Sequence, residues 1–501
     1  MRPLLIACLF YASLHAQSPA PTSTIQAGFA ERDITPGIGM EQPGGYSKNF
    51  HRSFHDACKV RVALFDDGKK RAAVIGLDAL VVPRQIVLDA RAQIEKATGI
   101  TGDAVLICAS HSHSSGPVGM VMPGEYDTAS DLVKKLAYEE SSCADAGYLL
   151  RVTSEIVAGV VAADRAKVPV QLGFGFGHED KVAFNRRLRM KNGRSWSHPR
   201  PGNPDILEYA GPIDPQVGVI GAWDLEGRLL GTIVNYACHA TTNPGGISAN
   251  WIHYLEKTIQ GALDTRAPVI FMQGACGDVT QVDNLSPWRS PAPEDWARQV
   301  GGRVGAEAVR VLLSMPRTGE AILDSRQKVL SIPRRKPSAT RLQRSHEIVK
   351  AGKPAGDTTE YLFAKEILML DHLCKVTPEV EAEVQVIQVG PAAFVSNPAE
   401  YFCQFGLDIK KASPFPFTFP VELANGIVGY VPTEEAFGPG GGGYETRLTA
   451  YSNLVITAGR TFADTGITLA RELKPGPVPE PPRAPPFSAP WSYGNVPPEL
   501  E

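Results

Sequence analysis

The first residues in this chain with obvious chemical capacity are histidines at the end of an apolar run. His111-Ser112-His113-Ser114-Ser115-Gly116 directly follows the stretch AVLICAS. In extended chain, residues two apart share a face. One imidazole could then ligate a metal while the other reaches a substrate beside it. Two hydrogen-bonded surface histidines would give the same motif. Two further apolar runs end in a similar way. Gly231–Cys238 leads into His239 and then Ala-Thr-Thr-Asn-Pro-Gly-Gly. Pro268–Met272 leads into Gln273-Gly274-Ala275-Cys276-Gly277-Asp278-Val279-Thr280. Each alone reads as a simple turn. Three together, each delivering polar groups into a Gly-rich loop, read as a converging constellation.

Strands must carry those loops. Runs rich in β-branched residues recur at Arg71–Val82, Ala104–Ala109, Gly231–Tyr236 and Pro268–Met272, and Glu383–Phe394 reads as a hairpin turning at Gly390-Pro391. Amphipathic helical patterns alternate with them: Gln85–Ala97, Ala146–Ala163, Ile252–Leu263, Glu294–Leu313 and Asn453–Glu472. Arg341–Lys350 and Thr359–Lys375 read as a helical pair, with the basic cluster Arg334, Arg335, Lys336 ahead of it as a solvated face. The fold class expected is α/β with a mixed-sheet α+β core, because the hairpin excludes a purely parallel sheet. In such folds reactive residues gather on loops at strand ends.

The ends of the chain read differently from its middle. Arg2 precedes an apolar run, Leu4 to Leu14, followed by His15-Ala16-Gln17. Such a run falls short of the ~20 residues of a membrane span. Residues 1–16 read as a secretory signal peptide, a buried N-terminal helix being the alternative. Residues 17–24 read as a linker, residues 25–473 as one large domain, and residues 474–501 as a Pro-rich tail that forms neither helix nor central strand. No later segment is read as a membrane span, which predicts an exported protein. The balance of 50 basic and 53 acidic residues, net charge -3, offers no bulk electrostatic pull toward nucleic acid or an anionic bilayer. Beyond Cys8 the cysteines are Cys58, Cys108, Cys143, Cys238, Cys276, Cys374 and Cys403. Their scatter has no CxxC zinc spacing and makes no disulfide framework. Buried free thiols are expected in the apolar runs, with room for one or two surface bridges.

An ordered set of motifs resembles the neutral, non-lysosomal ceramidases in their zinc-dependent catalytic domain, from about Ile25 to Leu473. The set is Asp33-Ile34-Thr35-Pro36, Gly45-Tyr46, His55-Asp56, Asp78, Ser110–Gly116, Asn185-Arg186, Cys238-His239-Ala240-Thr241, Gly277-Asp278-Val279, Asn397–Glu400 and Gly429–Glu435. The resemblance implies a single large ceramidase-like domain and one zinc per chain, held by His111, His239, Glu400 and Tyr430. Zinc accepts imidazole nitrogen and carboxylate oxygen, polarises a carbonyl and activates water at neutral pH. On their own, Glu400 would read as a helix N-terminal acid and Tyr430 as a core or loop aromatic. The resemblance further implies that His113 handles protons or holds substrate, and that Arg186 and Tyr444 bind a developing oxyanion. The run Gly440–Gly443 before Tyr444 reads as either a mobile flap or a surface loop.

The chain also departs from the family. Ceramidases carry a serine nucleophile in Gly-Asp-Val-Ser-Pro-Asn, whereas this chain has Gly277-Asp278-Val279-Thr280-Gln281-Val282. Thr280 could attack in its place or merely position water. After Asn185-Arg186 the family continues Ser-Pro, and here Arg187-Leu188-Arg189-Met190 makes a different substrate wall. The chain is read as lacking the C-terminal β-sandwich domain of longer ceramidases. The function implied is a secreted zinc hydrolase cleaving the amide of ceramide or a related N-acyl lipid. Its partners would be a small-molecule or lipid substrate, with no nucleic acid and at most peripheral membrane contact. The alternatives are the same site acting on an ester, a lactone or a sugar-linked amide, and a catalytically silent binding protein.

Overall fold

The computed structural model describes residues 23–491, 493–494 and 496–501. The expected signal peptide lies outside the described residues. Three sheets carry the fold. In the first, the strands run Val105–Ala109, Arg71–Leu77, Lys59–Asp66, Gln26–Asp33 and Val168–Pro169 across the sheet. The second runs Val269–Gln273, Leu229–Tyr236, Gln216–Trp223, Gln171–His178 and Arg317–Thr318. The third runs Leu323–Pro333, Glu379–Val389, Ala392–Ser396 and Phe417–Val421. Each is antiparallel except for one parallel pair at its edge. Ala73 pairs with Val105, Thr232 with Val269, and Ala392 with Phe417. This mixed α/β architecture is the one expected, and the hairpin turns at Gly390-Pro391.

The reason for the arrangement is burial on both strand faces. Val105–Ala109, Val269–Gln273 and Ala392–Ser396 are buried at every position. Continuous apolar strands need cover on two sides. One side is the other sheets: Phe65, Val74 and Leu106 share a core with Ile233 and Met272 and with Phe394 and Phe419. The other side is helices. Arg84–Thr98 and Ala146–Ala166 cover the first sheet, Trp251–Ala262 and Pro293–Ser314 the second, and Cys403–Ala412 with Ala458–Arg471 the third. Local signals set the helix ends. Ser130, Asp145 and Ser338 accept from backbone amides at their helix starts, which satisfies donors a helix leaves open.

Some expectations need correcting. The strand expected over Arg71–Val82 ends at Leu77, because residues 78–82 turn toward the site. The last helix begins at Ala458, not Asn453. The residues ahead of it hold the basic cluster: Arg334 Nη1 donates to Asn453 Oδ1 at 2.6 Å, and Arg335 Nε donates to Leu454 O at 2.9 Å. Those two arginines are therefore half-buried fastenings rather than a solvated face. The helix Ala146–Ala166 is long and apolar enough to cross a membrane by composition, contrary to the sequence reading. It packs Val152, Ile156, Val160 and Ala163 into the core over the first sheet. All seven cysteines among the described residues are free thiols. The tail starts fastened, with Gln388 Nε2 donating to Lys474 O at 2.7 Å, and is exposed from Glu480 to Trp491.

Candidate functional site

The carboxyl ends of strands from all three sheets meet at one place. Ala109 N donates to Leu423 O at 3.1 Å, Glu422 N to Gln273 O at 3.0 Å, and Gly274 N to Tyr236 O at 2.9 Å. Glu422 lies in the middle of this knot, wholly buried. Its Oε2 accepts from Tyr401 N at 2.7 Å and Cys276 N at 3.0 Å, and burial pushes its pKa up to about 8. The sequence reading missed it. Asp78, directly after the strand Arg71–Leu77, serves structure: its Oδ2 accepts from Arg61 Nη1 at 2.7 Å in a buried ion pair. Asp56 does likewise, accepting from Ala249 N at 2.8 Å beside the start of the helix Trp251–Ala262.

His111 follows the first of those strands, but the chain there is not extended. Its φ is 64°, a region that non-glycine residues rarely occupy. His111 and His113 are therefore not an extended HxH pair, although the two rings meet edge-to-face with centroids 4.7 Å apart. His111 Nδ1 lies 3.0 Å from Leu80 O. His239 Nδ1 lies 2.8 Å from Cys276 O. A carbonyl only accepts, so each Nδ1 carries the proton, and in the neutral ring each Nε2 presents a lone pair. Both lone pairs face Glu400 Oε2, at 3.1 Å from His111 and 3.2 Å from His239. Glu400 is no helix N-terminal acid. It sits in the short strand Glu400–Tyr401, paired in parallel with Tyr430–Val431, and the helix starts later at Cys403.

Three buried atoms able to accept face one another, a set that could hold a cation. Glu400 Oε2 has no hydrogen-bond partner. Zinc bonds of ~2.0–2.2 Å at tetrahedral angles put ligand atoms roughly 3.3 Å apart, close to the separations seen here. The donor set thus fits zinc. His111, His113 and His239 also offer ring nitrogens all within 4.8 Å of one another, a group that could hold a metal ion. His113 Nε2 lies 3.3 Å from His111 Nε2. We favour Glu400 over His113 as the third donor, because Glu400 brings negative charge and an unpartnered oxygen. Burial, then the charges of Arg186 and His111, hold the His239 pKa down at about 3, so its ring is neutral. Burial opposes charge on His111 too, but the Glu400 carboxylate outweighs it and raises its pKa.

The other expected residues surround this set. Arg186 is 3% exposed and gripped on three sides: Nε donates to Glu445 Oε1 at 2.7 Å, Nη2 to Gly277 O at 2.7 Å, and Nη1 faces His239 Nε2 at 3.1 Å. Its guanidinium carbon lies 5.3 Å from the Tyr430 ring centre and 5.0 Å from that of Tyr444. The two phenol oxygens are 2.7 Å apart. The glycine run before Tyr444 is tied down: Arg187 Nε donates to Gly442 O at 3.1 Å and Ser195 Oγ to Gly440 O at 3.0 Å. Gly44 is fixed by the site as well. Its φ is +106°, and a Cβ there would fall 2.3 Å from His113 Nδ1. Thr280 directly follows a residue that touches this group. Val279 O, one residue earlier, lies 3.1 Å from His239 Nδ1, but Thr280 Oγ1 accepts from Val282 N at 3.2 Å. Among the described residues it makes no hydrogen bond to the other expected site residues. Sequence reading gave no role to Glu445 or Tyr451, both buried or nearly so against this cluster; Glu445 follows Tyr444 directly, which was the available signal.

No protein-family model matches the chain. It is 24% identical over 350 residues to the neutral ceramidase of Pseudomonas aeruginosa, covering 66% of this chain and 48% of that protein. The chain thus spans about half the length of that curated relative. The crystal structure of neutral ceramidase from Pseudomonas aeruginosa is similar in fold, with a TM-score of 0.64 over 92% of this chain and 77% of that one at 19% identity. A ceramidase complexed with C2 gives a TM-score of 0.64 over 93% and 77%, at 18% identity. The α/β fold and the resemblance read from the motifs are both borne out.

Proposed function

We propose that this chain, similar in sequence and fold to neutral ceramidase, is an exported zinc-dependent amidohydrolase that cleaves the N-acyl bond of ceramide or a related lipid. The observation that carries the reading is the convergence of His111 Nε2, His239 Nε2 and Glu400 Oε2, three buried atoms that can each ligate a metal, with Glu400 Oε2 left without a hydrogen-bond partner. These residues, with Tyr430 as the resemblance implies, would hold one zinc. Bound there, zinc supplies Lewis-acid polarisation of the scissile carbonyl and a lowered pKa for water. The same reading takes residues 25–473 as one catalytic domain, with residues 1–16 as an export signal, residues 17–24 as a linker and residues 474–501 as a tail.

The chain's own residues account for the rest. Arg186 is held by Glu445 and by the Gly277 carbonyl, so it needs no reorganisation to donate Nη1–H to an oxygen gaining charge. Tyr444, bonded to Tyr430, stands beside it as a second donor. His113 lies against His111 and takes the proton of the attacking water, then returns it to the leaving amine. Thr280, whose hydroxyl is engaged by Val282 N, shapes the loop that fixes His239, and water is the nucleophile. A groove of about 690 Å³, lined by Val81, Ile86, Val118, Met120 and Leu149, abuts the site at Tyr451. Its size and apolar walls suit a hydrocarbon chain.

The test is turnover of a short-chain fluorescent ceramide by purified full-length protein, beside soluble amides and esters. Release of the labelled acyl chain, lost on chelation and restored by zinc, is expected. Clear turnover of esters, lactones or sugar-linked amides with none of ceramide would shift the substrate class. The altered wall at Arg187–Met190 is what favours that second reading.

A further inference from the structure

Glu400 treats its two oxygens differently, and the difference has a visible cause. A buried carboxylate needs its lone pairs engaged. Oε1 accepts from Tyr451 Oη at 2.7 Å. Oε2 is left without a donor and faces the two histidines. A carboxylate only accepts, so the Tyr451 hydroxyl donates.

Tyr451 is itself held in place. Gly429 packs against its backbone so closely that a Cβ there would lie 1.8 Å from Tyr451 O, and Gly429 also has φ +75°. Tyr430 N donates to Ser452 Oγ at 3.4 Å, and the Tyr430 and Tyr451 rings meet edge-to-face with centres 6.0 Å apart. Glu400 N in turn donates to Gly429 O at 2.9 Å. The Tyr451 hydroxyl thus reaches the carboxylate directly, while its backbone packs against the glycine that holds the Glu400 main chain.

We propose that Tyr451 is a positioning residue that engages Glu400 Oε1 and so leaves a single oxygen, Oε2, to ligate the metal beside His111 and His239. This rests on the reading of those three residues as zinc ligands. In this role Tyr451 acts through Glu400. Partners that hold a ligand in this way commonly govern affinity and ligation mode together.

The experiment compares wild-type and Tyr451→Phe full-length protein, stripped of metal. Zinc affinity is read by competition with a chromophoric chelator, and coordination by the visible absorption of the cobalt(II) form. Tyr451→Phe keeps the ring and its packing, and melting of the metal-free protein checks that it folds. Expected are zinc binding weakened about 10–100-fold and a less intense cobalt band, as the freed Oε1 joins the ion and raises its coordination number. Affinity within about twofold of wild type would overturn the proposal. So would weakened binding with an unchanged cobalt spectrum, since packing alone would then explain the loss. Wild-type protein that takes up no zinc would overturn the ligand assignment and this inference with it, whereas failure confined to the Tyr451→Phe comparison leaves the ligand assignment standing.

Discussion

Arg186 Nε donates to Glu445 Oε1 at 2.7 Å, across 259 residues of sequence, with side-chain exposures of 4% and 0%. Glu445 also accepts from the Ser197 hydroxyl. The pair is therefore fixed from the side of the glycine loop, and the guanidinium is aimed before any substrate arrives. A donor set in advance is worth most in a site that excludes water.

Arg186→Lys keeps the charge but loses the planar fork that reaches Glu445, Gly277 and His239 together. We expect kcat to fall ~10²–10³-fold with KM changed only a few-fold, measured on the best amide substrate. Unchanged kcat in a folded variant would remove Arg186 from the transition state.

Metal and fold should be linked through His111 and His239. Chelation should release about one zinc per chain. Its return at ~100 times Kd should stabilise the protein by about 2.7 kcal/mol, read as a rise in Tm. His111→Ala and His239→Ala should lose that rise. If both variants keep the full rise, the ion sits elsewhere.

Thr280→Ala should retain kcat within about tenfold, because Thr280 Oγ1 accepts from Val282 N and makes no hydrogen bond to a site histidine among the described residues. A loss beyond about a thousandfold, restored in Thr280→Ser, would make the Thr280 hydroxyl the attacking group in place of water.

His55 links two elements by charge. Its Nδ1 lies 2.6 Å from Asp56 Oδ2 and its Nε2 2.6 Å from Glu294 Oε2. Burial lowers its pKa, but these two hydrogen bonds outweigh burial and raise it. Around it stand His253 and Lys257 on one helix and Arg298 on another. A raised histidine pKa stabilises fully below the unfolded value and ceases to as pH climbs through the folded one. The Tm gap between wild type and His55→Gln should thus be wider at about pH 5.5 than at about pH 9. An equal gap at both would assign the effect to packing.

The parts of this site visible in the sequence are those that local pattern encodes. His111 and His239 stood out because each ends an apolar run, and their strands lie within a few residues of where the pattern put them. The left-handed turn at His111 did not, because contacts from residues 77–80 impose it on an ordinary-looking stretch. Glu400 and Tyr430 were reached only through resemblance: a glutamate soon after a proline is a common helix opening, and nothing local marks the two-residue strand it occupies. Tyr451 and Glu445 were invisible because their meaning lies in partners 51 and 259 positions away. Arg334 and Arg335 misled for the opposite reason. Local charge suggested solvent, and only the packed chain supplies Asn453 and the carbonyl of Leu454.

His111, His239 and Glu400 each follow a strand of a different sheet, and that separation has a kinetic consequence. The segments between them run to more than a hundred residues each. Distant closures of this kind form late, because chain entropy opposes them until neighbouring contacts repay it. An intermediate lacking any one sheet would have at most two of the three side chains in reach. A metal held by all three, as proposed, would therefore arrive as a seal on a finished protein rather than as a seed, and its rate of capture during refolding would follow whichever sheet docks last.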